Sequence, residues 1–144
     1  MTDHDPATGW HAFTDPGFID LVGPVLIRER APGAPPAFGF RAEPKHANLI
    51  GVVQGGMLMT FADRALGVAA MEAAGGANCV TVQFEMQFVS AGRIGAFVTL
   101  VPEVVRRTGS LVFMRGDARC DGSVVAAATG VWKILRRRPE AAPA

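Results

Sequence analysis

Residues 46–76 read HANLIGVVQGGMLMTFADRALGVAAMEAAGG and contain the longest nearly apolar segment of the chain. Between residues 57 and 74 most positions are Met, Leu or Ala, which favour a helix, and apolar side chains occupy almost its whole circumference. A helix of this kind is buried on most sides, so the rest of the chain must supply a surface that curves around it. This stretch therefore decides the fold.

Two features of this helix can carry chemistry. The pair Gly55-Gly56 stands at its start, where backbone N–H groups have no helical partner and the positive end of the dipole favours a negative charge. Asp63 follows Gly56 at a spacing that returns it to nearly the same face, about 10 Å further along the axis. An oxyanion-binding helix start and a carboxylate therefore share one stripe.

Segments with strand periodicity lie on both sides of this helix in the sequence. In the clearest, residues 80–88, five apolar residues alternate with polar ones: Val80, Val82, Phe84, Met86 and Phe88. A short helix is predicted after Asp15-Pro16, and the other predicted strands are residues 24–30, 37–42, 94–107, 110–120 and 123–135. Together they predict an α+β fold, with a curved antiparallel sheet of about six strands wrapped around one long central helix.

The composition fits one domain. The chain has 144 residues, of which 49% are apolar and 19% charged. We place the domain at residues 17–135, between a flexible N-terminal arm (1–16) and a basic, Ala/Pro-rich tail (136–144). The formal net charge of +1 gives no overall attraction to nucleic acid or membrane. The N-terminus has no signal-peptide pattern and no apolar run reaches about 18–20 residues, so a cytoplasmic protein is expected.

The cysteines and histidines do not indicate a metal site. Cys79 and Cys120 are far apart and the three histidines lack metal-ligand spacing. Two reduced, buried thiols are expected.

The polar residues of the opening stretch form a motif, H-x-N-x-x-G-x-x-Q-G-G-x(6)-D, made by His46, Asn48, Gly51, Gln54, Gly55, Gly56 and Asp63. This motif resembles that of the hotdog-fold acyl-CoA thioesterases of the phenylacetic-acid-degradation (PaaI-like) type, and the layout is similar over about residues 17–135. The resemblance implies a hotdog fold, and an enzyme that hydrolyses a small, medium or aromatic acyl-CoA to free acid and CoA. It implies no cofactor, because the coenzyme A thioester is itself the substrate.

The resemblance also implies roles for individual residues. Asp63 is the base or nucleophile, the Gly55 N–H is the main oxyanion donor, helped by Asn48, and Thr81 contacts the carboxylate. Gln54 stands where the family usually has His; a Gln can donate a hydrogen bond but cannot exchange a proton near neutral pH. Because the carboxylate carries the base or nucleophile role, Gln54 is expected to be tolerated.

Substrate-binding residues are harder to assign, because the pocket is expected to be shaped by two subunits. The candidates are His46, for which a structural role in the loop is favoured, Gly56, Met57, Phe61, Phe88 and, in addition, Phe18. Arginine suits phosphate groups, so the candidates for the CoA phosphates are Arg93, Arg106, Arg107 and residues 136–138.

Each candidate also has a purely structural interpretation. The glycine pair can simply permit a tight turn and close packing, and Asn48 can cap a turn. Asp63 can pair with Arg64 or Arg115, although residues adjacent in a helix do not face each other. A second functional hypothesis is a non-catalytic acyl-CoA or acyl-group binding hotdog protein, in which Gln54 marks lost chemistry.

The distance along the helix predicts a homo-oligomer. A carboxylate must come within about 3 to 4 Å of a carbonyl carbon, directly or through one water, whereas Asp63 lies about 10 Å from its own helix start. A two-fold dimer brings Gly55 of one subunit to Asp63 of the other, and the resemblance implies the same arrangement, with residues 80–90 pairing across the interface.

Thr81 raises a further question, because Val80 and Val82 are expected to face the core, and strict alternation then points Thr81 to the opposite face of the strand. Either a second subunit layer covers that face and makes a tetramer, which we prefer, or a bulge near residues 79–81 turns Thr81 inward.

Overall fold

The structure is a computed structural model that describes residues 9–136. Its central element is helix α2, Gly55–Ala73, which begins at the glycine pair as predicted. Phe61, Ala62, Ala65 and Leu66 are completely buried along it. A short helix α1, Phe18–Val22, and a 3-10 turn, Pro44–His46, precede it in the chain. None of the helices among residues 9–136 is long and apolar enough to cross a membrane.

One face of a single antiparallel sheet packs against α2. Its strands are β1 (His11–Ala12), β2 (Leu26–Arg28), β3 (Ala37–Arg41), β4 (Cys79–Phe88), β5 (Phe97–Leu100), β6 (Glu103–Arg107), β7 (Leu111–Cys120) and β8 (Ser123–Ile134). The order is β1-β2-β3-β5-β7-β8-β4, with β6 also paired to β7. The expected arrangement of one helix against an antiparallel sheet is confirmed.

Two of the eight strands were not expected. The segment predicted as one strand over residues 94–107 is divided into β5 and β6 at Val101-Pro102, because proline has no N–H for the ladder. The other addition is β1, which lies in the segment predicted as a flexible arm.

Residues 9–16, the described part of the predicted N-terminal arm, contact the rest of the fold. Trp10 is only 4% exposed and its ring meets the edge of Phe97 at a centroid distance of 5.1 Å. Asp15 forms an ion pair with Arg64 of α2 at 2.8 Å, and the same guanidinium lies over the ring of Phe13. The rest of the predicted arm, and the predicted tail beyond residue 136, lie outside the described residues.

Among residues 9–136, strand β4 lies at the edge of the sheet and pairs only with β8. The register shifts between Thr81 and Gln83, which marks a β-bulge. Before the bulge Thr81 points to α2, and after it Phe84 packs on the core. The expectation that Val80 and Val82 face the core is wrong, because the bulge shifts the alternation and leaves them 44% and 54% exposed.

The indole of Trp132 fills the space between α2 and the sheet near this bulge. A Cβ at Gly67 would lie 3.1 Å from the indole Nε1, and one at Gly130 would lie 2.7 Å from the ring. Glycine at both positions lets the ring pack closely. Because Trp132 pairs with Thr81 across β8 and β4, this packing sets how far Thr81 stands from the helix.

Candidate active site

The start of α2 is capped by the residue before it. The Gln54 Oε1 accepts a hydrogen bond from the Gly55 N–H at 3.0 Å. The Gln54 backbone carbonyl accepts hydrogen bonds from the N–H groups of Met57 and Leu58. The Gln54 backbone N–H donates a hydrogen bond to the His46 carbonyl. The Gln54 backbone is therefore fixed on both sides, and its exposed side chain covers the predicted oxyanion donor.

Asn48 holds the turn that leads to this helix start. Its Oδ1 accepts hydrogen bonds from the N–H groups of Ile50 and Val52 at 3.0 and 3.1 Å, and Gly51 takes a positive φ of 86° between them. Since two donors occupy the oxygen, the amide is oriented with its Nδ2 donor on the opposite side. The turn-capping role of Asn48 is present, and it leaves the amide N–H₂ available as a donor.

Asp63 lies on α2 opposite the bulge of β4. Its Oδ1 accepts a hydrogen bond from the Thr81 hydroxyl at 2.7 Å, as the resemblance implied. The two arginines considered as structural partners are engaged elsewhere: Arg64 with Asp15, and Arg115 with Glu103 through two hydrogen bonds of 2.8 and 3.0 Å. The half-buried Asp63 carboxylate is thus oriented by a hydroxyl and not neutralised by either arginine.

Strand β4 connects the two parts of the predicted site. Thr81, near its beginning, contacts Asp63, whereas the ring of Phe88, at its end, lies 3.2 Å from where a Cβ of Gly55 would stand. Strand and helix therefore run antiparallel. Gly55 and Asp63 remain eight residues apart in one helix, which is about 12 Å at 1.5 Å per residue.

Two cavities flank the helix start. The first has a volume of about 320 Å³ and includes Gly55 in its wall. Its other lining residues are Asn48, Val52, Val53, Leu58 and residues 88–92. The other, of about 450 Å³, has Gln54, Gly56 and Met57 in its wall, together with Phe18, Val22, Lys45, His46, Ala47 and Thr60. Phe88 thus lies at the first cavity, and Phe18, Gly56 and Met57 at the second.

Two of the substrate-binding candidates are inside the protein. Phe61 is completely buried and packs edge-on against Phe40, so it supports the core and does not line either cavity. His46 is buried: its Nδ1 accepts from the Glu43 N–H at 3.0 Å, and its Nε2 bonds to the Val22 carbonyl. Both ring nitrogens are engaged within the protein, which favours the structural interpretation of His46.

Sequence reasoning missed Lys45 and residues 89–92 as cavity-lining groups. The Glu43-x-x-His46 spacing, which forms a capping box here, is a signal that could have indicated the buried histidine. For CoA phosphates, Arg93 follows the cavity-lining Gly92 and is paired with Asp121, whereas Arg106 and Arg107 are exposed on β6. Arg136 is exposed, and residues 137 and 138 lie outside the described part.

The cysteines are free, as predicted, although only Cys120 is buried and Cys79 is half-buried. Burial raises the pKa of both thiols; Arg107 partly offsets this for Cys79, and Asp121 adds to it for Cys120. Both are therefore poor nucleophiles near neutral pH. Across residues 9–136, no group of three or more His, Cys, Asp or Glu residues could hold a metal ion.

Comparison with known proteins identifies the family. The model of the thioesterase superfamily matches residues 50–127, which is more than half of the chain and includes both α2 and β4. The chain belongs to the thioesterase superfamily. It is a thioester hydrolase with the hotdog fold, and the resemblance to the PaaI-like type is confirmed.

Among curated relatives, a putative esterase of Pseudomonas aeruginosa is 28% identical over 123 residues, covering 85% of this chain and 91% of the relative. Human acyl-coenzyme A thioesterase 13 is 25% identical over 100 residues, covering 69% and 71%.

Two solved structures are also similar. A variant of the phenylacetic acid degradation protein PaaI from Thermus thermophilus has a TM-score of 0.72 and 26% identity, covering 84% of this chain and 100% of that one. A Bacillus halodurans protein solved with CoA has a TM-score of 0.63 and 25% identity, covering 69% and 66%.

Proposed function

We propose that this thioester hydrolase acts on a small, medium or aromatic acyl-CoA, with Asp63 as base or nucleophile and the Gly55 N–H and Asn48 amide as oxyanion donors. Similarity to an acyl-coenzyme A thioesterase and to a protein solved with CoA supports this substrate class. The substrate is the coenzyme A thioester, and no further cofactor is needed.

In the proposed reaction the Asp63 carboxylate either takes a proton from an attacking water or itself attacks the carbonyl carbon. Either attack puts a negative charge on the carbonyl oxygen, which the Gly55 N–H and the Asn48 amide then stabilise at the positive end of α2. The C–S bond breaks when this charge collapses. In the base route, coenzyme A leaves as its thiol with the proton that Asp63 took from the water, and the acyl group leaves as the free acid. In the nucleophile route, coenzyme A takes a proton from solvent and the acyl group is held on Asp63 as a mixed anhydride, which a water molecule then hydrolyses to the free acid and the Asp63 carboxylate.

The observation that carries this proposal is the way β4 runs between the two half-sites. An antiparallel pairing of β4 with the β4 of a second subunit, centred between Phe84 and Glu85, places Thr81 of one strand opposite Phe88 of the other. Because Thr81 touches Asp63 and Phe88 touches Gly55, this pairing brings a carboxylate and an oxyanion donor together twice. The outer edge of β4 pairs with no other strand of the part of the chain that the structure describes, so it can make this contact.

The test is release of thiol from a panel of short-chain, long-chain and aromatic acyl-CoAs by wild type and Asp63→Asn. Loss of the base or nucleophile is expected to lower kcat by about 10² to 10⁴-fold. Glu72→Gln is the matched control, because this exposed carboxylate lies near the other end of α2. Hydrolysis by Asp63→Asn at the wild-type rate contradicts the assignment.

The alternative, a non-catalytic acyl-CoA binder, makes the opposite prediction in the same panel. It predicts tight binding of an acyl-CoA without release of thiol by the wild-type protein.

A further inference from the structure

The side chain of Gln54 occupies the position that the proposed reaction needs for the substrate. Its amide oxygen accepts the Gly55 N–H, which is the donor proposed for the thioester carbonyl oxygen. An amide oxygen and a thioester oxygen are both neutral carbonyl acceptors, so they compete for one N–H group. We propose that Gln54 is a positioning residue that closes the oxyanion hole in the free enzyme and is displaced by the substrate carbonyl. This inference rests on the proposed function.

The local structure allows this displacement without refolding the helix start. The backbone of Gln54 is held by His46 on one side and by Met57 and Leu58 on the other, so only its side chain needs to rotate. That side chain is exposed and stands in the wall of the 450 Å³ cavity, which offers space for the rotated amide.

The closed form lowers the apparent affinity for any ligand that needs the Gly55 N–H. Affinity falls in proportion to the fraction of molecules in which the hole is open. A neutral intramolecular hydrogen bond of ordinary strength corresponds to a factor of about two to ten. Free coenzyme A has a thiol in place of the thioester carbonyl, so its binding does not depend on this opening.

Two substitutions at Gln54 are expected to change the affinity for hexanoyl-CoA in opposite directions. Gln54→Met keeps a side chain of similar length but has no amide oxygen, so it is expected to tighten hexanoyl-CoA binding about two- to tenfold. Gln54→Glu keeps an acceptor and adds a negative charge that the helix start favours, so it is expected to weaken hexanoyl-CoA binding.

The experiment is calorimetric titration of hexanoyl-CoA and of free coenzyme A into each Gln54 variant in the Asp63→Asn background, where turnover is expected to be slow. The expected result is tighter hexanoyl-CoA binding by Gln54→Met with unchanged coenzyme A binding. In the enzyme with Asp63 intact, Gln54→Met is expected to raise kcat/KM for hexanoyl-CoA.

Weaker binding of hexanoyl-CoA by Gln54→Met, or a lower kcat/KM, overturns the inference, because Gln54 then assists the substrate. Equal changes for hexanoyl-CoA and coenzyme A also overturn it, because the contact then does not concern the carbonyl. Failure of the proposed function is distinguishable: wild type then releases no thiol, while the binding comparison still decides the role of Gln54.

Discussion

At the scale of single residues, the candidate site depends on a few hydrogen bonds with defined donors. The Asn48 oxygen is occupied by two backbone N–H groups, which leaves its amide nitrogen as the donor, and Thr81 donates to Asp63. Gly55 contributes a backbone N–H, so its contribution can be removed only by a residue that lacks this group.

Proline at position 55 provides that change. Gly55 is the first residue of α2, where proline is tolerated, and Gln54 has φ −58° and ψ 132°, which suit a residue that precedes proline. Gly55→Pro is expected to lower kcat by about 10² to 10³-fold, the usual effect of losing one oxyanion donor. The measurement is the steady-state rate of thiol release.

Gly55→Ala is the matched comparison. Both substitutions place a Cβ about 3.2 Å from the Phe88 ring, but only proline removes the N–H. The ratio of the two kcat values therefore reports the donor itself. Equal losses in the two variants contradict the oxyanion role and attribute the effect to crowding against Phe88.

The sequence predicted most of these residues and the contact of Thr81 with Asp63, but not the partner of Gly55. The motif spacing identified Asn48, Gly55 and Asp63 because a loop-to-helix junction fixes their relative positions. It could not indicate that Gln54 would bond to Gly55, because that depends on a side-chain rotamer. It also included Phe61 in the pocket, since an all-apolar helix does not reveal which of its aromatic residues faces the core.

At the scale of elements, the bulge in β4 and the Trp132 ring hold the carboxylate in place. Alternation of apolar and polar residues continues unbroken through residues 80–88, so the pattern itself has no signal for the bulge. Only the implied contact of Thr81 with Asp63 indicated a bulge, as one of two alternatives. The packing of Trp10 was missed for a similar reason, because a single aromatic residue in a polar segment does not indicate its partner on β5.

The Trp132 packing predicts a stability effect at Gly130. A Cβ there would lie 2.7 Å from the indole ring and 2.9 Å from the Gln83 carbonyl oxygen, so β4 and β8 must move apart. Gly130→Ala is expected to lower the free energy of unfolding by about 1–3 kcal/mol, as overpacking of a core does. The measurement is equilibrium denaturation in urea.

Gly109→Ala is the control, since a Cβ at this glycine between β6 and β7 has no atom within 4 Å. A change within about 0.5 kcal/mol is expected for this control. If Gly130→Ala is as stable as Gly109→Ala, Trp132 does not fix the spacing between helix and sheet.

At the scale of the whole molecule, the length of one helix predicts the assembly. Gly55 and Asp63 belong to one continuous helix and stand about 12 Å apart, so we expect one chain to contain two half-sites and no complete site. The predicted dimer follows from this distance. The tetramer also stays a prediction. It was preferred because strict alternation pointed Thr81 away from the core, but the bulge lets Thr81 reach Asp63 within one chain, so this reason no longer holds.

The central claim is that each site takes its oxyanion donor from one subunit and its carboxylate from the other. It is tested most directly by mixing two inactive variants, Asp63→Asn and Gly55→Pro, as co-expressed and separately tagged subunits purified as the mixed dimer. One site of that dimer combines the intact helix start of the first variant with the intact Asp63 of the second, and the other site lacks both.

The mixed dimer is expected to recover about half of the wild-type kcat per dimer, because one of its two equivalent sites is intact. Each variant alone is expected to remain at least about 10²-fold below wild type. A mixed dimer as inactive as its two parents contradicts the account, because each complete site must then lie within a single chain.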